Sequence, residues 1–236
     1  SLDLEFMHDG LPKMELEAAW ERKVFAEPSL PESGARLDNT LLALLSSWNI
    51  CSKESIVRQY DHEVQARTVV KPFAGARADG PSDACVLKIR PDSLRGVAVG
   101  CGILPRYSDI DTYHMVACCV DEALRNVVAV GADPSRVAGL DNFCWPDPVQ
   151  SDSTPDGKHK LAQLIRSCEA LYEICLTYDI PLISGKDSMK NDYRIGDTKI
   201  SIPPTLLFTA AAIIEDTRRV VSVDVKQAGD RVYVLG

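Results

Sequence analysis

Basic residues are few in this sequence and are never clustered. The 236 residues contain 26 Lys and Arg against 34 Asp and Glu, which gives a formal net charge of -8. A nucleic-acid-binding surface needs clustered Lys and Arg to neutralise phosphates, and no basic run is present. The composition therefore argues against a nucleic-acid partner.

Long apolar runs are absent as well. A membrane helix requires about 20 consecutive apolar residues, and no stretch of this chain approaches that length. The N-terminus also lacks the basic region and short apolar region that make up a secretory signal. We expect a soluble, cytoplasmic protein with no membrane partner.

Neither the cysteines nor the histidines have the spacing of a metal site. The eight Cys include no Cys-x-x-Cys pair, and the four His are dispersed. Most of the cysteines lie in apolar runs, where a thiol behaves as a small hydrophobe, and a chain of this size does not need disulfides to fold. The pattern argues against a structural zinc and favours a reducing compartment.

The chain is predicted to consist of a leader and one α/β domain. Residues 1–50 are interpreted as a linker and helical leader, in which the apolar spacing predicts one helix over 14–26 and another starting at Asp38. Residues 51–236 are predicted to form the domain, and a chain with 45% hydrophobic residues can bury a core of this size.

Six strands and two long helices are predicted within the domain. The helices cover residues 112–130, with Asp111 as the N-cap, and residues 160–178. The strands are bounded by Pro, Gly or Asp turns and cover 68–71, 84–89, 97–101, 136–140, 181–184 and 205–214. A last apolar run, 232–235, is typical of a strand whose neighbour follows later in the chain, so we expect a fragment of a longer polypeptide.

Three oxygen donors are candidates for a magnesium site. Glu122 and Asn126 lie one turn apart on the first predicted helix and point the same way, while Asp83 follows a Gly-Pro-Ser turn just before a strand. Each has an ordinary alternative, because the helical pair also suits a solvated edge and Asp83 also suits a loop cap. If all three converge, their charges need compensation, which a magnesium–nucleotide complex supplies.

His62 lies between Asp61 and Glu63, directly before a β-branched run. Neighbouring carboxylates favour the charged imidazole, which can act as an acid, a base or a phosphate ligand. A hydrogen-bonded surface histidine is equally compatible with this pattern.

The segment PLISGKDSMKND, residues 181–192, places polar groups at the end of an apolar strand. Gly185 permits a tight turn, and Lys186 offers a cation to a phosphate. Asp187 and Ser188 offer oxygen ligands or hydrogen bonds, and Asp187 is a fourth candidate metal ligand. The spaced glycine of a P-loop is missing before this segment. The alternative is a plain turn with a solvated lysine.

Five segments in a fixed order give the chain a family resemblance. They are RQYDHEVQARTVVKP, GPSDACVLKI, DEALRNVVAVGADP, LDNF and SGKDSMKNDY, all within residues 51–236. Together they are similar to the phosphoribosylformylglycinamidine synthases, the ATP- and glutamine-dependent ligases of purine biosynthesis. The chain resembles the second of the two aminoimidazole-ribonucleotide-synthetase-like N-terminal domains of those enzymes.

The resemblance implies an α/β fold with a mixed, largely antiparallel sheet and helices on one face. It also implies a ligase that converts formylglycinamide ribonucleotide to the amidine, with this chain lending a loop to a catalytic site built mainly by the first synthetase half. That half, the glutaminase domain and the ribonucleotide substrate would be its partners. The isolated chain would be inactive and would homodimerise through its sheet.

The resemblance further implies an auxiliary site for ATP or ADP with Mg²⁺. Asp83, Glu122 and Asn126 would hold the metal, and Ser82 would lie beside the nucleotide. His62 would correspond to the active-site histidine region of the first half, without an expected catalytic role.

For the SGKDS segment the resemblance implies contact with the catalytic site. Gly185 and Lys186 would lie near ATP, and Ser188 near the substrate. Lys186 stands where shorter relatives have a metal-ligating Asn, and a protonated lysine cannot ligate a metal. The stretch VGCGILPRY also lacks an Asp and an Asn that shorter relatives have there.

Two other functions fit the same features. One is a free-standing magnesium–nucleotide-binding module. The other is a different enzyme of the superfamily, such as a thiamine-phosphate kinase or a selenophosphate synthetase, although the YDHEVQ and GKDSM segments favour the synthase.

Overall fold

The computed structural model describes residues 1–10, 13–30 and 36–234. The helices in this part of the chain are α1 (Leu4–Asp9), α2 (Asp38–Ser46), α3 (Glu54–Val57), α4 (Thr112–Ala129) and α5 (Gly157–Thr177). The strands are β1 (Thr68–Val70), β2 (Phe73–Ala74), β3 (Gly80–Pro81), β4 (Cys85–Lys88), β5 (Gly96–Ile103), β6 (Val137–Cys144), β7 (Leu182–Ser188), β8 (Asp192–Ile195), β9 (Thr198–Ser201) and β10 (Thr205–Ile214). Neither α4 nor α5, nor any shorter helix in these ranges, is long and apolar enough to cross a membrane.

Six strands form one sheet in the order β1-β4-β5-β10-β6-β7. Neighbouring strands run antiparallel except β6 and β7, which are parallel. The predicted mixed, largely antiparallel sheet is therefore confirmed. Because β5, β6 and β7 run in one direction, their C-terminal ends lie along the same edge of the sheet, which we call the C-terminal edge.

The long helices cover one face of this sheet. Every second residue of β10 is buried and those between are half-buried, which is the period of a strand with one covered face. Phe208 of β10 shares its core with Val120 of α4 and Leu171 of α5. The predicted arrangement of helices on one face is confirmed, and the opposite face keeps half-buried apolar side chains.

Two glycines in β5 allow α4 to pack directly against the strand. A Cβ atom at Gly102 would lie 2.0 Å from the carbonyl oxygen of Cys119, and one at Gly100 would lie 3.0 Å from Cβ of Asn126. Any larger residue would push the helix away. This close approach brings the polar side chains of α4 to the end of β5.

The predicted helix over 14–26 is wrong, because no helix forms in residues 13–30. Trp20 instead packs against α5. The Trp20 ring lies 5.1 Å from the His159 ring and 4.6 Å from the guanidinium carbon of Arg166. His159 and Arg166 are seven residues apart, a rise of about 10.5 Å on a helix. The indole therefore contacts two side chains that lie two turns apart on α5.

The turn predicted at Gly185 is also wrong, because β7 continues through it to Ser188. Backbone pairing with β6, including Asn142 with Lys186, extends the strand along the sheet edge.

At the end of the chain, residues 231–234 form no strand, and residue 235 of the predicted strand lies outside the described residues. The helix predicted at Asp38 is confirmed as α2, whose residues are not buried.

Candidate functional site

The predicted site residues form two groups on the C-terminal edge of the sheet. One group lies at the end of β5 and the other at the end of β7. Strands β10 and β6 separate β5 from β7, so the groups are about 14 Å apart at an inter-strand spacing of about 4.8 Å. They therefore make two sites, and Asp187 cannot share a metal ion with Glu122.

Glu122 and Asn126 both contact the end of β5. The Glu122 carboxylate accepts a hydrogen bond from the Ile103 N–H at 3.1 Å, and the Asn126 amide nitrogen donates to the Cys101 carbonyl at 2.9 Å. The helical spacing thus correctly predicts that these side chains point the same way. We name this pair, with Asp83 and Ser82, the β5 site.

These contacts have a structural cause in the sheet. Strand β4 begins at Cys85, opposite Val99, so the last residues of β5 have no strand partner on that side. Backbone groups without a strand partner need other hydrogen bonds, and the two α4 side chains supply them to Cys101 and Ile103. One carboxylate oxygen of Glu122 and the amide oxygen of Asn126 are left for another ligand.

Asp83 and Ser82 lie at the start of β4, on the same side of β5. β4 begins two residues after Asp83 and pairs with β5, with Cys85 opposite Val99. The Ser82 hydroxyl is buried and has no hydrogen-bond partner among the described residues. Since buried polar atoms are nearly always paired, this hydroxyl is an exception among the polar groups of the described residues.

The β5 site holds two carboxylates and one amide oxygen. Among the residues the structure describes, no group of three His, Cys, Asp or Glu side chains is placed to hold a metal ion. A cation here would therefore depend on the Asn126 oxygen and on oxygens of a second ligand. Magnesium is commonly bound in this way, through one or two carboxylates together with phosphates and waters.

The second group, which we call the β7 site, contains a residue that sequence reasoning missed. A Cβ atom at Gly185 would lie 2.7 Å from a carboxylate oxygen of Asp141, so only a glycine lets the Asp141 carboxylate rest on β7. Burial raises the pKa of Asp141, and the nearby charge of Asp187 raises it further. Asp141 belongs to the LDNF segment, which contributes to the family resemblance but from which no site residue was predicted.

Ser188 is held in place at the end of β7. Its carbonyl accepts hydrogen bonds from the Trp145 N–H and the Asn191 side-chain amide, both at 2.8 Å. The Lys186 ammonium donates to the Ser188 hydroxyl. Gly185, Lys186 and Asp187 are exposed, so the β7 site presents a cation, a carboxylate and a hydroxyl on an open strand.

His62 lies away from both groups. It lines a cavity with Lys88, at the far end of β4. β4 runs from Cys85 to Lys88, about 10 Å of extended strand, and Asp83 lies beyond its opposite end. The structure therefore does not bring His62 to the other predicted residues.

Comparisons with known proteins agree with this architecture. A family model described as AIR synthase related protein, N-terminal domain, matches residues 81–214. The phosphoribosylformylglycinamidine synthase subunit PurL of Thermoplasma volcanium is 30% identical over 237 residues, covering 100% of this chain and 29% of that protein. The chain thus spans less than a third of the length of this relative.

Two solved structures of Thermotoga maritima PurL are similar as well. The complex with AMPPCP is 25% identical, with a TM-score of 0.52, and covers 85% of this chain and 28% of that one. The complex with FGAR is also 25% identical, with a TM-score of 0.51, and covers 85% and 27%.

Proposed function

This chain belongs to the AIR synthase related proteins, as an N-terminal domain of that family, and on this premise we propose that it is part of a phosphoribosylformylglycinamidine synthase. That ligase uses ATP and glutamine to convert formylglycinamide ribonucleotide to the amidine in purine biosynthesis. The observation that carries the proposal is the similarity of the whole chain to PurL. We place the enzyme in the cytoplasm.

The β5 site is proposed to bind ADP or ATP with Mg²⁺ as an auxiliary site. The residues fit such a group, since Glu122 and Asn126 are oxygen donors at the end of β5, Asp83 lies two residues before the strand that pairs with β5, and Ser82 has an orphaned buried hydroxyl. Asp83, Glu122 and Asn126 would hold the magnesium ion, which would supply positive charge to offset the two carboxylates and the phosphates. The chain's own contribution is to fix the donors, because the α4–β5 packing holds Glu122 and Asn126 in place.

Isothermal titration calorimetry with ADP tests this site, in the presence and absence of Mg²⁺. Glu122→Gln keeps an acceptor for the Ile103 N–H but removes the charge, so we expect at least a tenfold loss of magnesium-dependent affinity with the fold intact. Asp121→Asn is the matched control, because that neighbouring carboxylate bonds to Arg125 and Tyr178 instead. Equal affinities for wild type and Glu122→Gln would contradict the assignment.

The β7 site is proposed to serve the catalytic centre of the complete synthase. Lys186 would meet ATP phosphates, with Gly185 allowing close approach, and Ser188 would contact the substrate. We add Asp141, which rests against Gly185. Thermotoga maritima PurL, which resembles this chain at 25% identity, was solved with AMPPCP and with FGAR, and these are the ligand types that such a centre requires.

The open face of the sheet is proposed to pair with the first synthetase half. Val97, Val99 and Ile213 lie on this face and are only half-buried, and apolar patches of this kind mark interfaces. For the chain alone we expect a homodimer through the same face. A single monomeric species in sedimentation at high concentration would contradict this.

Ligase activity is proposed to require the remaining domains of the synthase, including the glutaminase. We expect no conversion of formylglycinamide ribonucleotide by this chain alone and full conversion by the complete enzyme. In the complete enzyme, Ser188→Ala should raise the KM for the ribonucleotide. An unchanged KM would count against a substrate role for Ser188.

A further inference from the structure

A cavity at the opposite edge of the sheet has polar groups that the proposed function does not use. It has a volume of about 420 Å³, and its lining includes Asp61, His62, Gln65, Arg67 and Lys88. It lies where β1 meets the C-terminal end of β4, whereas Ser82 and Asp83 precede the start of that strand. It is therefore separate from the β5 site and independent of the proposed ligase.

Arg67 provides the main sign of a ligand in this cavity. One terminal nitrogen donates to the Ile89 carbonyl at 3.0 Å. The Nε–H is buried and has no partner among the described residues. An unpaired buried donor costs about 1–3 kcal/mol, and more on a charged group, and a nearby anion would remove that cost.

One further donor and one acceptor line the same cavity. Nδ1 of His62 lies 3.1 Å from the Tyr60 carbonyl oxygen, which can only accept, so Nδ1 carries the proton and Nε2 can accept from the O–H of a monoprotonated phosphate. The Lys88 ammonium has one acceptor, the Pro91 carbonyl at 3.3 Å, and three protons to donate.

The side chains that line this cavity carry a net positive charge, although the whole chain has a formal net charge of -8. Arg67 and Lys88 contribute two positive charges and Asp61 one negative charge. The Asp61 carboxylate already accepts the Glu63 N–H at 2.8 Å. An anion in the cavity would therefore meet a net attraction.

The backbone of the loop is strained at this point. Gln65 and Ala66 are consecutive non-glycine residues with φ of 61° and 52°, in the left-handed region that costs L-residues about 1–2 kcal/mol each. Strain of this kind concentrates at ligand sites. Here it reverses the chain so that His62 and Arg67, five residues apart, line one cavity.

We propose that this cavity binds a phosphate group of a small molecule. A tetrahedral phosphate offers acceptor oxygens on several sides, which suits a guanidinium, an ammonium and an amide arranged around it. Charge-assisted hydrogen bonds to phosphate are the strong kind. The orphaned Arg67 N–H gains its acceptor when the phosphate is bound.

Amide chemical-shift mapping by NMR, with inorganic phosphate as the probe, tests the proposal. We expect saturable shifts at residues 62–68 and 87–88. Arg67→Gln and Lys88→Gln should each weaken this binding at least tenfold. Arg90→Gln is the matched control, because Arg90 is exposed and paired with Asp92 outside the cavity.

Three results would overturn the proposal. They are the absence of saturable shifts at residues 62–68, wild-type affinity in the Lys88→Gln variant, or an equal loss in the Arg90→Gln control. If Arg67→Gln does not fold, Lys88→Gln decides alone. Shifts confined to 182–188 are one form of the first result and would place phosphate at the β7 site instead.

Discussion

Replacing Gly102 by Ala should separate α4 from β5 and so damage the fold and the β5 site together. The new Cβ would lie 2.0 Å from the Cys119 carbonyl oxygen, whereas an ordinary contact needs about 3.4 Å, so the helix must move by roughly 1.4 Å. Overpacking typically costs about 1–3 kcal/mol. We expect the free energy of unfolding to fall by about 3 kcal/mol, because the clashing oxygen belongs to the backbone of Cys119 and cannot rotate away.

Urea unfolding measures this loss as a lower midpoint at an unchanged slope. Gly196→Ala is the control, because Gly196 has a φ of +56° but open space around its Cβ position, and it should lose only about 1–2 kcal/mol. Magnesium-dependent ADP affinity should fall in Gly102→Ala alone, since the helix shift breaks the Glu122 contact with the Ile103 N–H. Wild-type stability and affinity in Gly102→Ala would refute the packing argument.

Two further substitutions test other local features. Asp111→Ala removes the α4 cap and the paired hydrogen bonds from Arg166, and should lower the unfolding free energy by about 3 kcal/mol at pH 7. Burial alone would raise the pKa of Asp111, but hydrogen bonds from Arg166 and the Tyr113 N–H hold it below its usual value. The difference from wild type should therefore persist above about pH 4 and shrink at lower pH in acid-unfolding curves. Ala66→Gly should raise the free energy of unfolding, measured by thermal denaturation, by up to about 1 kcal/mol, because φ at Ala66 is 52°. The control Ala43→Gly, within α2, should lower the free energy of unfolding by a similar amount. A loss of stability in both variants would show that Ala66 is unstrained.

Local pattern predicts much of this fold, and the failures have physical causes. The helix after Asp111 follows from a cap, an apolar stripe and a glycine stop, and α4 forms where expected. The spacing over 14–26 is equally helical, but Trp20 is fixed by His159 and Arg166, which are distant in sequence. Tertiary contact overrides local preference there. At Gly185, a glycine that favours a turn remains in a strand because β6 supplies its hydrogen bonds.

The candidate sites were predictable to different degrees for a similar reason. Glu122 and Asn126 lie on one helix, so spacing alone predicts that they share a face. Asp141 was missed because its partner, Gly185, comes from a strand 44 residues later, and only the parallel pairing of β6 with β7 brings the two together. Local periodicity carries no information on such a pairing.

The β5 site combines a structural role with the proposed binding role in the same side chains. Glu122 and Asn126 satisfy backbone groups of β5 that β4 leaves unpaired, so the sheet would need them even without a metal. Removing either side chain would therefore lower both the stability of the protein and its affinity for magnesium–ADP, so such a variant could not separate the two roles. The isosteric change Glu122→Gln separates the two roles, because the new amide oxygen would still accept from the Ile103 N–H while magnesium would lose a carboxylate. A loss of magnesium–ADP affinity without a loss of stability would then show that the Glu122 carboxylate contacts the bound ligand. The orphaned Ser82 hydroxyl would be a second contact to that ligand.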